Sequence, residues 1–308
     1  MSAGFEEEGP KEPVKLSVIV SSIEDDGSLR TCLDSILPQK TGEMEIIATV
    51  VRSRDSLTDW TSDYSEVDFI EYPAETTLAA LVGDGIARSR GEIIAITDSS
   101  CIAGDDWLAS ILAGHETEFP VIGGSVEMLG EGAGLTDWAA YFCDYGQFML
   151  PAASGVVTAI PGNNFSIKRP VLERGRKIVE NEFWKTLWCN SLQSEGIELF
   201  SQPKISVSRG KKYKLVPFMV ERFHKGRCFA GMRSENFSGI KRLAYTLGTP
   251  MLPIVFFIRT VAPVIGKRRY TGKLLLSVPV IILAGVLWAA GEAAGYFAGR
   301  GDSCQAAG

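Results

Sequence analysis

Asp98 is the residue whose type and position most clearly suggest chemistry. It stands in GEIIAITDSSCIAGDDWL (residues 91–108), where an unbroken apolar run ends in Asp98, Ser99 and Ser100. In an open α/β sheet, ligands sit outside the carboxyl ends of the strands. A carboxylate leaving a buried strand can hold a divalent cation against a phosphate, because hard cations take oxygen ligands. Strand-end aspartates also commonly make turns, and Asp105 and Asp106 lead into a helix at Trp107. Other chemistries find less support. The six cysteines (Cys32, Cys101, Cys143, Cys189, Cys228, Cys304) show no CxxC pair, and His115 and His224 are the only histidines, so zinc-ligand spacing is missing. Scattered thiols suit a reducing compartment. The first strand runs into SSIEDDG, not a glycine-rich phosphate turn, which speaks against a dinucleotide-dependent oxidoreductase.

The surrounding elements must position Asp98. Residues 14–21 (VKLSVIVS) form a buried strand by their apolar, β-branched character. Residues 27–37 follow as a helix with Leu29, Leu33, Ile36 and Leu37 on one face, ended by Pro38. Strands over 45–51 and 67–72, a helix over 76–89 and the strand 92–97 continue the alternation, which predicts a parallel sheet with right-handed crossovers. A helix from Trp107 to Thr117 and a strand over 120–126 come next. Trp138, Tyr141, Phe142, Tyr145 and Phe148 fall at helical spacing, a pattern more typical of core than of a ligand platform. In the loop 161–169, Asn163 and Asn164 could bind a polar ligand or accommodate a left-handed turn. A helix over 180–195 closes at Gly196, with short strands over 198–200 and 204–207.

The net charge of −6 hides an asymmetry. From Lys204 to Lys273 there are sixteen Lys or Arg and two acids, Glu221 and Glu235. Such blocks contact phosphates or an anionic leaflet, or simply form a solvated basic face. Residues 1–12 are acidic and proline-broken, which reads as a disordered tail and not a signal peptide. Residues 274–298 are long and apolar enough to cross a bilayer. Residues 243–265 are similar but interrupted by Gly248, Pro250, Pro253, Arg259 and Pro263. Between them KRRYTGK (267–273) carries four positive charges, and two ordinary crossings would place it opposite the basic region before it. The pattern therefore favours an interfacial or re-entrant 243–265 and a transmembrane 274–298, with a helical hairpin of the two segments as the alternative. Together these form a membrane-associated region 241–300 after a domain 13–240, with a short tail 301–308.

The order VKLSVIV, LDSILPQ, EIIATVV and GIARSRGEIIAITD, with a Trp nine residues after the Asp, resembles family 2 glycosyltransferases of the GT-A fold. The likeness runs on through GGSV, DWAAYFCDYGQF, PGNNFSIKR and GRCFAGMR to WAAGEAAGYFAG, and is similar to a bacterial subgroup with a C-terminal membrane segment. The resemblance implies an α/β, mostly parallel sheet flanked by helices, followed by C-terminal membrane helices. It implies transfer of a sugar from a nucleotide-sugar donor to a glycan or lipid-linked acceptor of the cell envelope. It also implies a membrane location with the catalytic domain on the cytoplasmic side, and no nucleic-acid partner. A divalent metal, Mg²⁺ or Mn²⁺, would stabilise the departing diphosphate as a Lewis acid. A carboxylate would deprotonate the acceptor hydroxyl.

Carried over position by position, the resemblance puts the metal on Asp98. Ser100 stands where the second acid of an Asp-any-Asp motif usually falls. Ser22 and Glu24 occupy the turn after the first strand, and Arg52 replaces the acid usually found after the second, with Asp55 displaced. These residues (Asp98, Ser100, Ser22, Glu24, Arg52) are the expected donor-binding set. The expected base position, eleven residues before Gly196, is Lys185; Glu182 lies one helical turn earlier and is the candidate base. In HKGRC, Arg227 alone matches the Gln-any-any-Arg-Trp motif of processive relatives and could grip a diphosphate through its planar fork. The missing acids leave a second expectation, a catalytically impaired binding or scaffold protein built on the same fold.

Overall fold

The computed structural model describes residues 13–23, 26–51, 60–174, 183–235 and 237–306. Strands β1 (Leu16–Ser22), β2 (Met44–Val51), β3 (Val67–Tyr72) and β4 (Ile93–Asp98) lie parallel in the order β3-β2-β1-β4. Val18, Ile19, Ile94 and Ile96 are buried on opposite faces of this sheet, as continuous apolar runs require when helices cover both sides. Helices α1 (Asp26–Ile36) and α2 (Leu78–Arg88) make the crossovers. Thr77 caps α2, its hydroxyl accepting from the Ala80 amide at 3.1 Å.

Beyond β4 the sheet turns antiparallel. β5 (Cys101–Ala103) and helix α3 (Trp107–His115) follow β4 in the chain, then β6 (Val121–Met128), helix α4 (Leu135–Tyr145), β7 (Gly155–Val157) and β8 (Asn164–Lys168). β8 inserts antiparallel between β4 and β6. Helices α5 (Arg169–Arg174) and α6 (Lys185–Ser194) precede β9 (Leu199–Arg209), which runs parallel to β6 and pairs antiparallel with β5 and β7. The two short strands predicted over 198–207 are thus one strand, β9. Its irregularity lies in a register shift against β6 between Gly123 and Ser125. Any side chain at Gly124 would lie 1.9 Å from the Ile205 carbonyl. Asn164 secures this point by donating to Ser125 O (2.7 Å) and Ile205 O (2.8 Å), and it accepts from Trp107 Nε1 (2.9 Å). Asn163 donates to Cys101 Sγ at 3.1 Å. Both asparagines are buried, and neither adopts a left-handed conformation. The aromatic residues Trp138, Tyr141 and Phe142 of α4 are core, as their spacing predicts.

The C-terminal third packs against α4. Helix α7 (Leu215–Arg233) leads to α8 (Gly239–Gly248), α9 (Leu252–Lys267), α10 (Thr271–Ala298) and the short α11 (Ser303–Ala306). A 3₁₀ turn joins α8 to α9, so residues 239–267 form one long apolar helical segment beside 271–298. α10 alternates buried residues (Leu274, Ser277, Ile281, Ala284, Gly291, Gly295) with exposed ones (Leu275, Leu276, Ile282, Leu283, Val286). Its buried stripe meets α7 through glycines. A Cβ at Gly291 would fall 2.1 Å from Phe223 O, and one at Gly226 would fall 2.4 Å from Trp288 O. This approach brings Cys228 and Cys304 into a disulfide across a sequence separation of 76, while Cys32, Cys101, Cys143 and Cys189 are free thiols. The picture of six unpaired thiols is corrected for this pair. Spacing gave no sign of it because helix packing, not a short motif, juxtaposes the two sulfurs.

Candidate active site

The β1–β4 register sets Ser21 beside Asp98 at the carboxyl ends of the strands. A cavity of about 380 Å³ opens there. Ser21 of β1 and Ile23 just after it, the cap Thr77 and Val82 of α2, and Asp98 at the end of β4 with Ser99 after it form one part of the lining. The lining also takes in Asp144 and Tyr145 at the end of α4, Lys185 at the start of α6, Arg209 at the end of β9, and Lys211 and Tyr213 just beyond it. Glu221, Lys225, Cys228, Trp288 and Cys304 complete the wall from α7, α10 and α11.

Asp98 is the hub. β5 leaves β4 directly and pairs with the end of β9, so that Cys101 opposes Arg209 and the Gly210 amide donates to Ser100 O at 3.1 Å. This register delivers the Arg209 guanidinium to the carboxylate: Nη1 lies 2.9 Å from Oδ2 and 3.1 Å from Oδ1. The Ser100 amide donates to Oδ1 at 2.9 Å, and the Ser100 hydroxyl bonds both Oδ1 and Arg209 Nη1. Arg209 also donates to the Tyr213 hydroxyl at 3.2 Å and lies over the Tyr145 ring, 5.0 Å from its centroid. Burial alone would raise the Asp98 pKa. The Arg209 charge, the Ser100 hydroxyl and the Lys211 charge outweigh that and hold it below the usual carboxylate range.

A second charged cluster backs the cavity. Arg222 is almost fully buried and forks onto Asp144 at 2.6 and 2.8 Å, with Glu221 3.3 Å away. Glu221 in turn pairs with Lys225 at 2.5 Å. Burial again works to raise the Asp144 pKa, but Arg222 and Lys225 bring it down to about 2. The carboxylates of Asp98 and Asp144 are therefore both anionic at neutral pH and both matched by an arginine.

Of the residues singled out from sequence, Asp98, Ser100 and Ser22 come together. Ser22 donates to Ser99 Oγ at 2.9 Å, one residue from Ser21 in the cavity wall. Lys185 does stand in the wall, with Nζ donating to the Ile160 carbonyl at 2.7 Å and its pKa lowered by burial. Arg227 does not join them. It donates to Gly299 O at 3.1 Å, outside the cavity lining, and its guanidinium packs against Gly301. His224 lies within 3.1 Å of Ser303 Oγ. Glu24, Arg52 and Glu182, with Asp55, lie outside the described residues. Sequence reasoning missed Arg209, Tyr213, Asp144 and Arg222. Their only trace was the basic block for the two arginines and DYGQF for Asp144.

A divalent metal would have to be centred on Asp98. Among the described residues, no three His, Cys, Asp or Glu side chains gather into a ligand set. Both Asp98 oxygens already serve Arg209, and Oδ1 serves Ser100 as well. The described donor set does not fit a metal centre, because the place beside Asp98 is taken by a guanidinium.

The family model for glycosyl transferase family 2 matches residues 17–174, more than half of the chain and all of the segment carrying Asp98. The chain belongs to glycosyl transferase family 2. A curated relative, "Putative glycosyltransferase EpsH" of Bacillus subtilis (strain 168), is 31% identical over 100 residues. That match covers 32% of this chain and 28% of the relative, so the chain spans under a third of the curated protein it matches. Among solved structures, the mannosyltransferase PcManGT from Pyrobaculum calidifontis, in complex with GDP-Man and Mn²⁺, is similar with a TM-score of 0.58 at 14% identity. That likeness covers 92% of this chain and 88% of that one. GalNAc-T7, with UDP, GalNAc and Mn²⁺, gives a TM-score of 0.52 at 13% identity, covering 67% of this chain and 45% of that one. At these identities the likeness establishes the fold of this family 2 member, which is GT-A. Its α/β sheet with flanking helices agrees with the expectation from sequence.

Proposed function

We propose that this family 2 chain is a membrane-associated glycosyltransferase that moves a sugar from a nucleotide-sugar to a lipid-linked or cell-envelope glycan acceptor. The observation that carries this reading is the cavity itself. One wall is the strand-end crevice of a GT-A sheet with Asp98, and the opposite wall includes Trp288, a residue of the apolar helix α10. Donor and membrane-borne acceptor would meet between these walls. In the transfer, the acceptor oxygen bonds to the anomeric carbon, the bond from that carbon to the diphosphate oxygen breaks, and the diphosphate departs with the electron pair. The acceptor proton passes to a base, for which Glu182 is the candidate from sequence. Lys185, three residues on in the sequence, stands in the cavity wall at the start of α6. Arg227, expected to grip diphosphate or acceptor, would instead act by holding the turn after α10.

The domain lies on the cytoplasmic side in this reading, as the basic block flanking the apolar segments favours. The two relatives bound to nucleotide and Mn²⁺ support a nucleotide-sugar donor here. A scaffold without turnover is the second reading, favoured by the engaged Asp98 and by Lys185 at the expected base position.

The test is thermal stabilisation and turnover of the purified full-length chain with a panel of nucleotide-sugars, with and without Mn²⁺. Binding at a hundredfold excess over Kd stabilises the native state by about 2.7 kcal/mol. The enzyme reading expects at least one nucleotide-sugar to stabilise the chain and to be hydrolysed or transferred. Stabilisation without any turnover would favour the scaffold, and no stabilisation by any donor would defeat the enzyme reading.

A further inference from the structure

Asp98 and Ser100 occupy the positions where a metal motif would stand, yet a cation from the chain fills the gap between them. Arg209 Nη1 reaches both Asp98 oxygens and the Ser100 hydroxyl, the group that replaces the second acid. The guanidinium is held from two further sides, by the Tyr213 hydroxyl and by the face of Tyr145. Such fixing leaves little side-chain freedom to lose when an anion arrives, which favours preorganised recognition. Lys211, two residues along, lines the same cavity and acts electrostatically on Asp98.

Charge decides what this cluster can do. A divalent ion on one carboxylate carries a net charge of +1. Asp98 with Arg209 is neutral, and Lys211 brings the trio to the same +1. Guanidinium and ammonium groups bind phosphate oxygens well, the first through its fork and the second as a point charge. A second acid at residue 100 would compete with a diphosphate for Arg209, whereas the hydroxyl of Ser100 orients the guanidinium without adding negative charge.

We infer that Arg209 and Lys211 take the place of the divalent metal, so that this site binds the diphosphate of its nucleotide donor without a metal ion. This rests on the donor reading above and sharpens it.

The test is titration calorimetry on the full-length chain with UDP, GDP, ADP, CDP and dTDP, run once in EDTA and once in Mn²⁺. At least one nucleotide is expected to bind with a Kd that differs less than about threefold between the two conditions. Lys211→Ala, a half-buried position whose loss leaves the Asp98–Arg209 pair intact, is expected to weaken that binding about tenfold in EDTA, roughly one charge-assisted hydrogen bond. Arg209→Gln should weaken it further, provided its far-ultraviolet spectrum is native; if it fails to fold, Lys211→Ala carries the test. Binding only with Mn²⁺, or binding in EDTA indifferent to Lys211→Ala, overturns the inference and leaves the glycosyltransferase reading standing. No binding in either condition overturns both.

Discussion

At the scale of residues, the site is governed by paired charges that sit far apart in sequence. Asp144 and Arg222 are 78 residues apart, and Asp98 and Arg209 are 111 apart. Linkage turns the first pair into a pH prediction. The Asp144 pKa falls from 3.8 to about 2 on folding, so its stabilisation is complete above the unfolded value and is lost as pH drops through about 4 toward 2. Asp144 is a quarter exposed, and the contribution is on the order of 2 kcal/mol. Urea unfolding at pH 7 and pH 3 should show the stability difference shrinking by about 1 kcal/mol in Asp144→Asn, because at pH 3, still above the folded value, only about half of the contribution has been lost; an unchanged difference would mean that the pair contributes nothing. Asp98 was legible because a polar residue ending an apolar strand is a local signal. Its partner was not, since Arg209 is one of sixteen basic residues in its block and only the β5–β9 register selects it.

At the scale of elements, the alternation of β1 to β4 with α1 and α2 could be read directly, since buried parallel strands and amphipathic helices differ in period. The second half resisted. β8 inserts between β4 and β6, and the β6–β9 irregularity is set by Gly124 and Asn164, which contact residues some 40 to 80 positions away. The α7–α10 seam belongs to the same class, because a glycine in an apolar helix does not announce its neighbour. That seam makes a sharp prediction. Gly291→Ala places a methyl 2.1 Å from the Phe223 carbonyl, a contact that only separation of the two helices can relieve. Overpacking of this kind costs about 1–3 kcal/mol. Gly266→Ala, inside α9 with nothing within 4 Å, should instead gain about 0.5–1 kcal/mol from helix propensity. Denaturation midpoints of the two variants should therefore move in opposite directions. Equal shifts would mean that the seam is looser than its geometry indicates.

At the scale of the whole molecule, the proposed membrane association raises the question of how α8 to α10 would meet a bilayer. Length and hydropathy permit both segments to cross, and the sequence singled out 274–298. Both ends of α10, however, are tied to the same domain. Before its first turn, Arg269 pairs with Glu127 at 2.9 Å and donates to Leu150 O, while Lys267 donates to Met149 O and Pro151 O. After its last turn, Cys304 is joined to Cys228 of α7. A crossing helix of about 42 Å at 1.5 Å per residue would have to place these ends on opposite faces of the bilayer, which one folded domain on a single side cannot bridge. The arrangement supports α10 lying along the surface, with its buried stripe on α7 and α4. Its outer residues Leu275, Ile282, Leu283 and Phe297 would then enter the bilayer beside Leu243, Leu247 and Ile258 of α8 and α9. Exposed Lys241, Arg259, Arg268 and Lys273 would meet anionic headgroups. Two measurements decide the matter. Single cysteines placed at Thr271 and Asp302 should both react with an impermeant reagent added from the domain side of sealed proteoliposomes. In addition, Leu275→Glu with Leu283→Glu should release the chain from anionic vesicles without changing its unfolding free energy by more than about 0.5 kcal/mol per substitution, as for other surface changes. Labelling from opposite sides would instead establish the crossing, and it would require the contacts at one end of α10 to be broken in the membrane.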